Sequence, residues 1–227
     1  MEAGRRVKTA AFVPAKLESR RFPLKNLADF DGNPLVWWAS QCARDGLAAG
    51  LFDRAVLSTD STEIVAAAGR IEVDWRPEAM RAEGIRVIDL VREWLGRQEE
   101  RPDAVCVLWP TSPLRTLRHL VESYRCLTPG FDVVLSVVPR RGGMLMEFLS
   151  RSDTLILRGT FSGKWQHDGT ALWARHEFLV SPGAGGADGF YATPRIHGYR
   201  VPIEDSADVD THFDLEYAEW LLERREQ

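Results

Sequence analysis

The chain has 227 residues, 44% hydrophobic and 27% charged, which is the balance of a globular protein with one core and excludes a disordered, fibrous or multi-domain chain. Its 29 Lys and Arg against 33 Asp and Glu give a net charge of −4, which excludes a general electrostatic grip on nucleic acid or anionic membrane and makes any anion site local. The three cysteines, Cys42, Cys106 and Cys126, lack metal-type spacing, and no apolar run reaches the roughly 18 residues of a membrane span, so a cytoplasmic protein with reduced thiols is expected.

In chain order, continuous apolar runs predict buried parallel strands over 7–14, 54–58, 104–109 and 132–138, with a shorter strand over 71–75. Between them, apolar residues three and four apart predict crossover helices over 34–49, 61–69, 85–97 and 116–127. The segment 139–165 breaks this rhythm with glycines and two β-like pieces. Its Met144, Leu145, Met146 and Phe148 are too apolar for a free loop, so it reads as an inserted arm that a two-fold dimer would bury. A C-terminal helix follows, with Phe213, Tyr217, Trp220 and Leu221 at helical spacing. Strands alternating with helices predict an α/β sheet in a single domain, 1–227, whose ligands bind beyond the carboxyl ends of the strands.

Residues that suit a ligand follow those strands. Residues 15–26 carry Lys16, Arg20, Arg21 and Lys25 against one acid, Glu18, and form either a polyphosphate cradle or a solvated basic loop. No G-x-G-x-x-G follows the first strand, and Gly159 to Trp165 has the wrong spacing for a P-loop, which removes dehydrogenase and P-loop kinase readings. Asp60, with Glu63 three residues on, fits a helix N-cap better than a ligand contact. Arg76-Pro77-Glu78 starts a polar loop. Trp109-Pro110-Thr111-Ser112-Pro113-Leu114-Arg115 joins a buried strand to a helix, either as a stiff turn or as a set of donors beside a ligand. Asp208 and Asp210 share a face in an extended segment, about 6.6 Å apart, and suit a hard cation completed by phosphate oxygens; the other reading is an acidic helix start, with Thr211 or Asp210 capping and Asp214 in the first turn, and for Asp214 that reading is preferred.

In this order the residues resemble the CMP-sialic acid synthetase family, the cytidylyltransferases that activate acidic 2-keto sugars. The resemblance spans roughly residues 7–222 and rests on Pro14-Ala15-Lys16, Ser19-Arg20, Pro23-Leu24-Lys25-Asn26, Ser58-Thr59-Asp60, Arg76-Pro77, Pro110 to Arg115, Asp208-Val209-Asp210, Asp214-Leu215 and Ala218-Glu219. It implies a Rossmann-like three-layer sandwich, with a mostly parallel sheet and an inserted dimerisation arm at about 139–165. It also implies a homodimer in which Arg140 or Arg141 reaches the partner's site. The implied substrates are CTP and an acidic sugar, with Mg²⁺ (or Mn²⁺) on Asp208 and Asp210. By the same resemblance Pro14, Ala15, Lys16, Arg20, Lys25, Asn26, Arg76 and Thr111 would bind nucleotide, Trp109, Ser112, Arg115, Gln166 and Asp168 the acceptor, and Lys16, Lys25 and Asp210 would be catalytic.

The departures bear on the acceptor. Lys16 stands for the usual arginine and Trp109 for a glutamine near the sugar. Arg81-Ala82-Glu83 and Val87 replace a more usual acid- and serine-bearing stretch, and His167-Asp168-Gly169 is closer to the pseudaminic branch. Trp109 either faces the ligand crevice or packs under the sheet edge. A phosphonate or Kdo-like acceptor, and a non-catalytic nucleotide-binding module of the same fold, are the alternatives.

Overall fold

The computed structural model of the protein describes residues 6–139 and 165–225. The expected arm, and with it Arg140 and Arg141, falls outside the described residues apart from its two ends. The strands are β1 (Thr9–Pro14), β2 (Asp29–Phe30), β3 (Asn33–Pro34), β4 (Arg54–Thr59), β5 (Glu72–Trp75), β6 (Ala104–Val107), β7 (Val133–Pro139), β8 (Trp165–Arg175) and β9 (Ile196–Arg200). The helices are α1 (Leu35–Ala48), α2 (Thr62–Ala68), α3 (Val87–Gly96), α4 (Leu117–Arg125), the single turn α5 (His176–Leu179) and α6 (His212–Arg225).

Among the described residues seven strands form one sheet in the order β5-β4-β1-β6-β8-β7-β9, parallel except where β8 runs against both β6 and β7. The α/β expectation holds, with helices on both faces. One face packs Phe12, Val105 and Leu172 against Ile88, Val91, Trp94 and Leu95 of α3 and Phe178 of α5. The other packs Val13, Leu57 and Trp173 against Val36 and Ala43 of α1, Ile64 of α2 and Leu120 of α4. Trp173 lies between Phe52 (5.5 Å) and Tyr124 (4.9 Å), and its indole N–H donates to Ser123 Oγ at 3.0 Å, so its one polar atom is satisfied inside the core. At Gly46 a Cβ would meet the Phe52 ring at 2.4 Å, so only glycine lets α1 settle here.

Three differences from the sequence expectations have physical reasons. The strand β8 was missed because its first half, Trp165-Gln166-His167-Asp168-Gly169, is polar and carries Gly169 at φ +79°, where the pairing with β7 shifts register. The short strand β9 was also missed. The N-cap of α2 is Ser61 rather than Asp60: Ser61 Oγ accepts from the N–H groups of Glu63 (3.1 Å) and Ile64 (3.2 Å), while Asp60 Oδ1 is left without a partner. In α6 the four spaced apolar residues divide: Phe213, Tyr217 and Trp220 are exposed, while Leu221 is buried with Ala218 against Phe22, Phe30, Leu35 and Leu114. This core cluster is small and is served by a narrow stripe, so the larger aromatics are not needed in it.

Candidate active site

The chain passes from β1 through β4 to β5 on one side of the sheet and then returns beside β1 as β6, so the sheet reverses its winding between β1 and β6. The crevice at such a point is where open α/β sheets bind ligands. Because β8 is antiparallel, its first residues lie at this same edge, level with the end of β7, where Gln166 pairs with Val138. Loops from distant parts of the sequence therefore meet there.

The basic loop after β1 is fixed from within. Ala15 N–H donates to Ser58 O (3.0 Å) and Asn26 Nδ2 to Lys16 O (2.7 Å). Leu24 sits at φ 55°, a left-handed conformation uncommon outside glycine that the surrounding contacts must impose. Asn26 is buried and shapes the loop rather than presenting its amide to a ligand. Lys16 and Arg20 are exposed, and Arg20 pairs with Glu83. Lys25, with its side chain 12% exposed, reaches across the crevice to Asp210 Oδ1 at 2.8 Å. Arg21, which the sequence reading did not single out from its neighbour Arg20, takes the other oxygen, Asp210 Oδ2, at 2.7 Å.

The carboxylate loop is held at several points. Val209 N–H donates to Thr111 O at 2.8 Å, which joins it to the turn after β6, and Thr111 also hydrogen-bonds the Asp208 side chain. Asp214 Oδ2 accepts from the N–H groups of Asp210 (3.0 Å) and Thr211 (2.7 Å), while Thr211 Oγ1 accepts from Asp214 N–H. Thr211 is thus the N-cap and Asp214, in the first turn, its reciprocal partner, the place that its position suggested. Asp208 is open to solvent on one side, yet the enclosing walls strip water from the other and push its carboxyl above the usual range. Asp210 and Asp214 add to that rise, and Thr111 and Lys25 oppose it.

Three of the expected ligand residues have partners within the fold. Arg115 is buried, and its guanidinium donates to the main-chain carbonyls of Thr170, Trp109 (2.8 Å) and Gly169 (3.1 Å), so it ties the turn after β6 to β8. Arg76 is likewise buried and donates to Ser58 O (2.9 Å) and Oγ (3.3 Å) at the end of β4. The buried Ser112 faces Asp168 O at 3.4 Å, and a Cβ at Gly169 would meet its Oγ at 2.8 Å, so this contact is a close packing of two main chains. In each case a donor that suits a ligand is engaged by groups of the fold at the strand ends.

A cavity of about 400 Å³ opens beside this loop and is lined in part by Pro139, Gln166, Asp168, Asp208, Asp214 and Tyr217. It joins three of the expected residues, Gln166, Asp168 and Asp208, while Lys16, Arg20, Arg76 and Trp109 do not line it. The Asp168 carboxylate accepts from Thr170 N–H (3.2 Å) and Oγ1 (2.6 Å), which turns the chain locally. Trp109 is half-buried against the core, edge-on to His167 at 5.5 Å; His167 Nδ1 in turn lies 3.1 Å from the Tyr191 hydroxyl. His167 belongs to the His167-Asp168-Gly169 stretch noted above, whereas Tyr191 lies in no sequence motif.

The arrangement suits electrostatic work on an anion and offers little for covalent catalysis. The cysteines are free, and burial pushes the Cys42 thiol up to about 11 and that of Cys106 well above its usual value, so neither is a thiolate nucleophile at neutral pH. Among the described residues no group of three or more His, Cys, Asp or Glu is placed to hold a metal ion, so a cation here would need part of its shell from substrate or water.

The profile of the cytidylyltransferase family matches residues 10–124, from the first strand through the fourth long helix. The chain belongs to the cytidylyltransferase family. Within it, the chain is 28% identical over 224 residues to N-acylneuraminate cytidylyltransferase A of Danio rerio, covering 92% of this chain and 50% of that protein. It spans about half the length of the Danio rerio relatives it matches. It is 26% identical over 238 residues to pseudaminic acid cytidylyltransferase of Campylobacter jejuni, covering 95% of this chain and 96% of that one. Among solved structures, CMP:2-keto-3-deoxy-manno-octonic acid synthetase complexed with CTP superposes with a TM-score of 0.68 at 15% identity, over 96% of this chain and 99% of the other, which shows the shared cytidylyltransferase fold.

Proposed function

We propose that the chain transfers the cytidylyl group of CTP to an acidic 2-keto-3-deoxy sugar of the nonulosonic acid type, giving the CMP-sugar and pyrophosphate. Family membership and the relatives' names support the reaction class. The observation that carries it onto these residues is the meeting of Lys25 and Arg21 with Asp210, beside Asp208, at the carboxyl edge of the sheet. In the reaction the anomeric hydroxyl oxygen bonds to the α-phosphorus while the bond from that phosphorus to its bridging oxygen breaks. Pyrophosphate leaves with the electron pair.

Nucleophile and target are both surrounded by negative charge, and relieving that crowding is the protein's main task. Lys16, Arg20, Arg21 and Lys25 would bind the phosphates, with the main chain at Pro14 and Ala15 close against them. Asp208 and Asp210 would hold Mg²⁺ (or Mn²⁺). Their hard oxygens, the crowding at Asp208 and the lack of further protein ligands fit an ion that keeps water and phosphate in its shell. When bound, that ion offsets phosphate charge. Lys25 and Arg21 engage both oxygens of Asp210 and fix its charge beside Asp208, so Asp210 acts electrostatically, and the hydroxyl proton passes to solvent. The cavity beside Asp208 has the size of a small-ligand site and would take the acceptor. Its lining by Asp168, Asp208 and Asp214 means that an acidic acceptor needs a cation beside it.

Pyrophosphate release tests this reading, with each of the four ribonucleoside triphosphates supplied with a panel of nonulosonic acids, Kdo and phosphonates. CTP with a nonulosonic acid should be the preferred pair. Equal use of UTP would contradict the reading. Preference for Kdo or a phosphonate would move the acceptor, as Trp109 in place of glutamine allows.

We also propose a cytoplasmic homodimer. The apolar residues of segment 139–165 support the dimer and the free cysteines a reducing compartment, while no helix among the described residues is long and apolar enough to cross a membrane. Light scattering at micromolar concentration should show twice 25.6 kDa; a monomer would contradict the dimer.

A further inference from the structure

Asp205 lies just upstream of the carboxylate loop and is gripped from three sides. His119 Nε2 is 3.1 Å from Oδ2, Arg118 donates to the same oxygen at 3.2 Å, and Arg225 donates to Oδ1 at 2.6 Å. His119 is completely buried, and its Nδ1 accepts from Thr116 N–H at 3.2 Å. That acceptor role fixes the tautomer: the proton sits on Nε2, which donates to Asp205. Burial holds the imidazole below its usual pKa against the pull of Asp205, so the ring serves as a neutral link between the start of α4 and the carboxylate. Arg225, in the last turn of α6, also donates to Leu114 O (3.1 Å) and Glu204 O (3.4 Å). The end of α6 therefore folds back onto the loop that precedes its own first turn.

We propose that Asp205, clasped by His119 and Arg225, is a positioning residue for the Asp208–Asp210 pair. The segment from 206 to 210 is irregular and has few holds of its own. Downstream it is fixed by the Asp214 carboxylate and in the middle by the Val209 bond to Thr111. Asp205 supplies the upstream hold through His119 of α4, the helix that follows the Thr111 turn, and through Arg225, which also holds Leu114 of that turn. The carboxylates and the turn after β6 are thus set as one piece. A helix packed only through Ala218 and Leu221 would leave that placement loose. The proposal rests on the reading of Asp208 and Asp210 as cation ligands.

The test uses the full chain and Mn²⁺ alone, with bound metal read from the loss of the free-ion electron paramagnetic resonance signal. Circular dichroism establishes that each variant is folded at the assay temperature. Asp205→Asn should weaken Mn²⁺ about tenfold, the lower end of the effect of supporting residues around a metal. In an Asp210→Asn background the same change should add little, because the pair it serves is already broken. A folded Asp205→Asn with unchanged Mn²⁺ affinity would overturn the positioning role, as would a full tenfold loss in the Asp210→Asn background. If Asp205→Asn does not fold, Arg225→Lys replaces it: one ammonium keeps charge near Asp205 but cannot reach it together with two carbonyls, and the same weakening is expected. Unchanged affinity in folded Arg225→Lys would then overturn the proposal. If Asp210→Asn alone leaves Mn²⁺ binding untouched, the ligand reading itself fails and the proposal falls with it.

Discussion

Asp210→Ala should leave a folded chain whose rate of CTP turnover falls by roughly 100- to 1000-fold or more. An electrostatic contact to developing charge contributes on that order in rate, and Asp210 fixes two cations proposed to make such contacts. Its oxygens take Lys25 at 2.8 Å and Arg21 at 2.7 Å, so its removal frees both cations from their fixed positions and deletes one of the two carboxylates proposed to hold the metal ion. Lys25 is largely enclosed and would lose its partner, which costs some stability as well. Asp210→Asn separates the two effects, because the amide oxygen still accepts from Lys25 while the charge is gone. Both variants should lose activity to a similar degree in steady-state kinetics, with the Asn variant melting closer to the parent. A variant retaining half the parent rate would contradict the assignment.

Arg115→Ala should cost about 3 kcal/mol of stability or more, because hydrogen bonds from a charged donor contribute roughly 1.5–3 kcal/mol each and three carbonyls would lose theirs in a buried place. For a domain of this size that corresponds to a fall in Tm of about 6–12 °C. Arg115→Lys should recover only part of it, since one ammonium cannot reproduce a planar fork across the carbonyls of Trp109, Gly169 and Thr170. Thermal melting by circular dichroism distinguishes this role from the acceptor contact that the Pro110 to Arg115 motif suggested. A variant with the parent Tm and a raised KM for the sugar would restore the acceptor contact.

Much of the scaffold was legible in the sequence, because strands buried on both faces must be continuously apolar and crossover helices must carry a stripe. That logic found β1, β4, β6 and β7 and the four long helices between them. It failed at β8, whose polar start and left-handed Gly169 hide a strand that only its second half, Thr170 to Ala174, advertises. In α6 the apolar spacing finds the helix but not its buried stripe, which takes Leu221 and Ala218 while the aromatics face outward. In the site, the order of motifs indicated that a lysine from the first loop and an aspartate near the end of the chain belong together, and Lys25 and Asp210 do meet. What composition and spacing do not encode is which partner a donor finds. Arg76, Arg115 and Asn26 have the chemistry for a phosphate or carboxylate, and each donates to a main-chain carbonyl of its own fold. Arg21 was overlooked for the converse reason: side by side in sequence with Arg20, it is directed to Asp210, while its neighbour pairs with Glu83.

Transfer of the cytidylyl group itself is the central claim, and the fate of the α-phosphorus tests it most directly. The full chain would be incubated with Mg²⁺, a nonulosonic acid and CTP labelled with ³²P at either the α- or the γ-position, and the products separated. The α-label should appear in a CMP-sugar in step with unlabelled pyrophosphate, and the γ-label only in pyrophosphate. Recovery of the γ-label in the sugar, or of the α-label only as free CMP, would contradict the account.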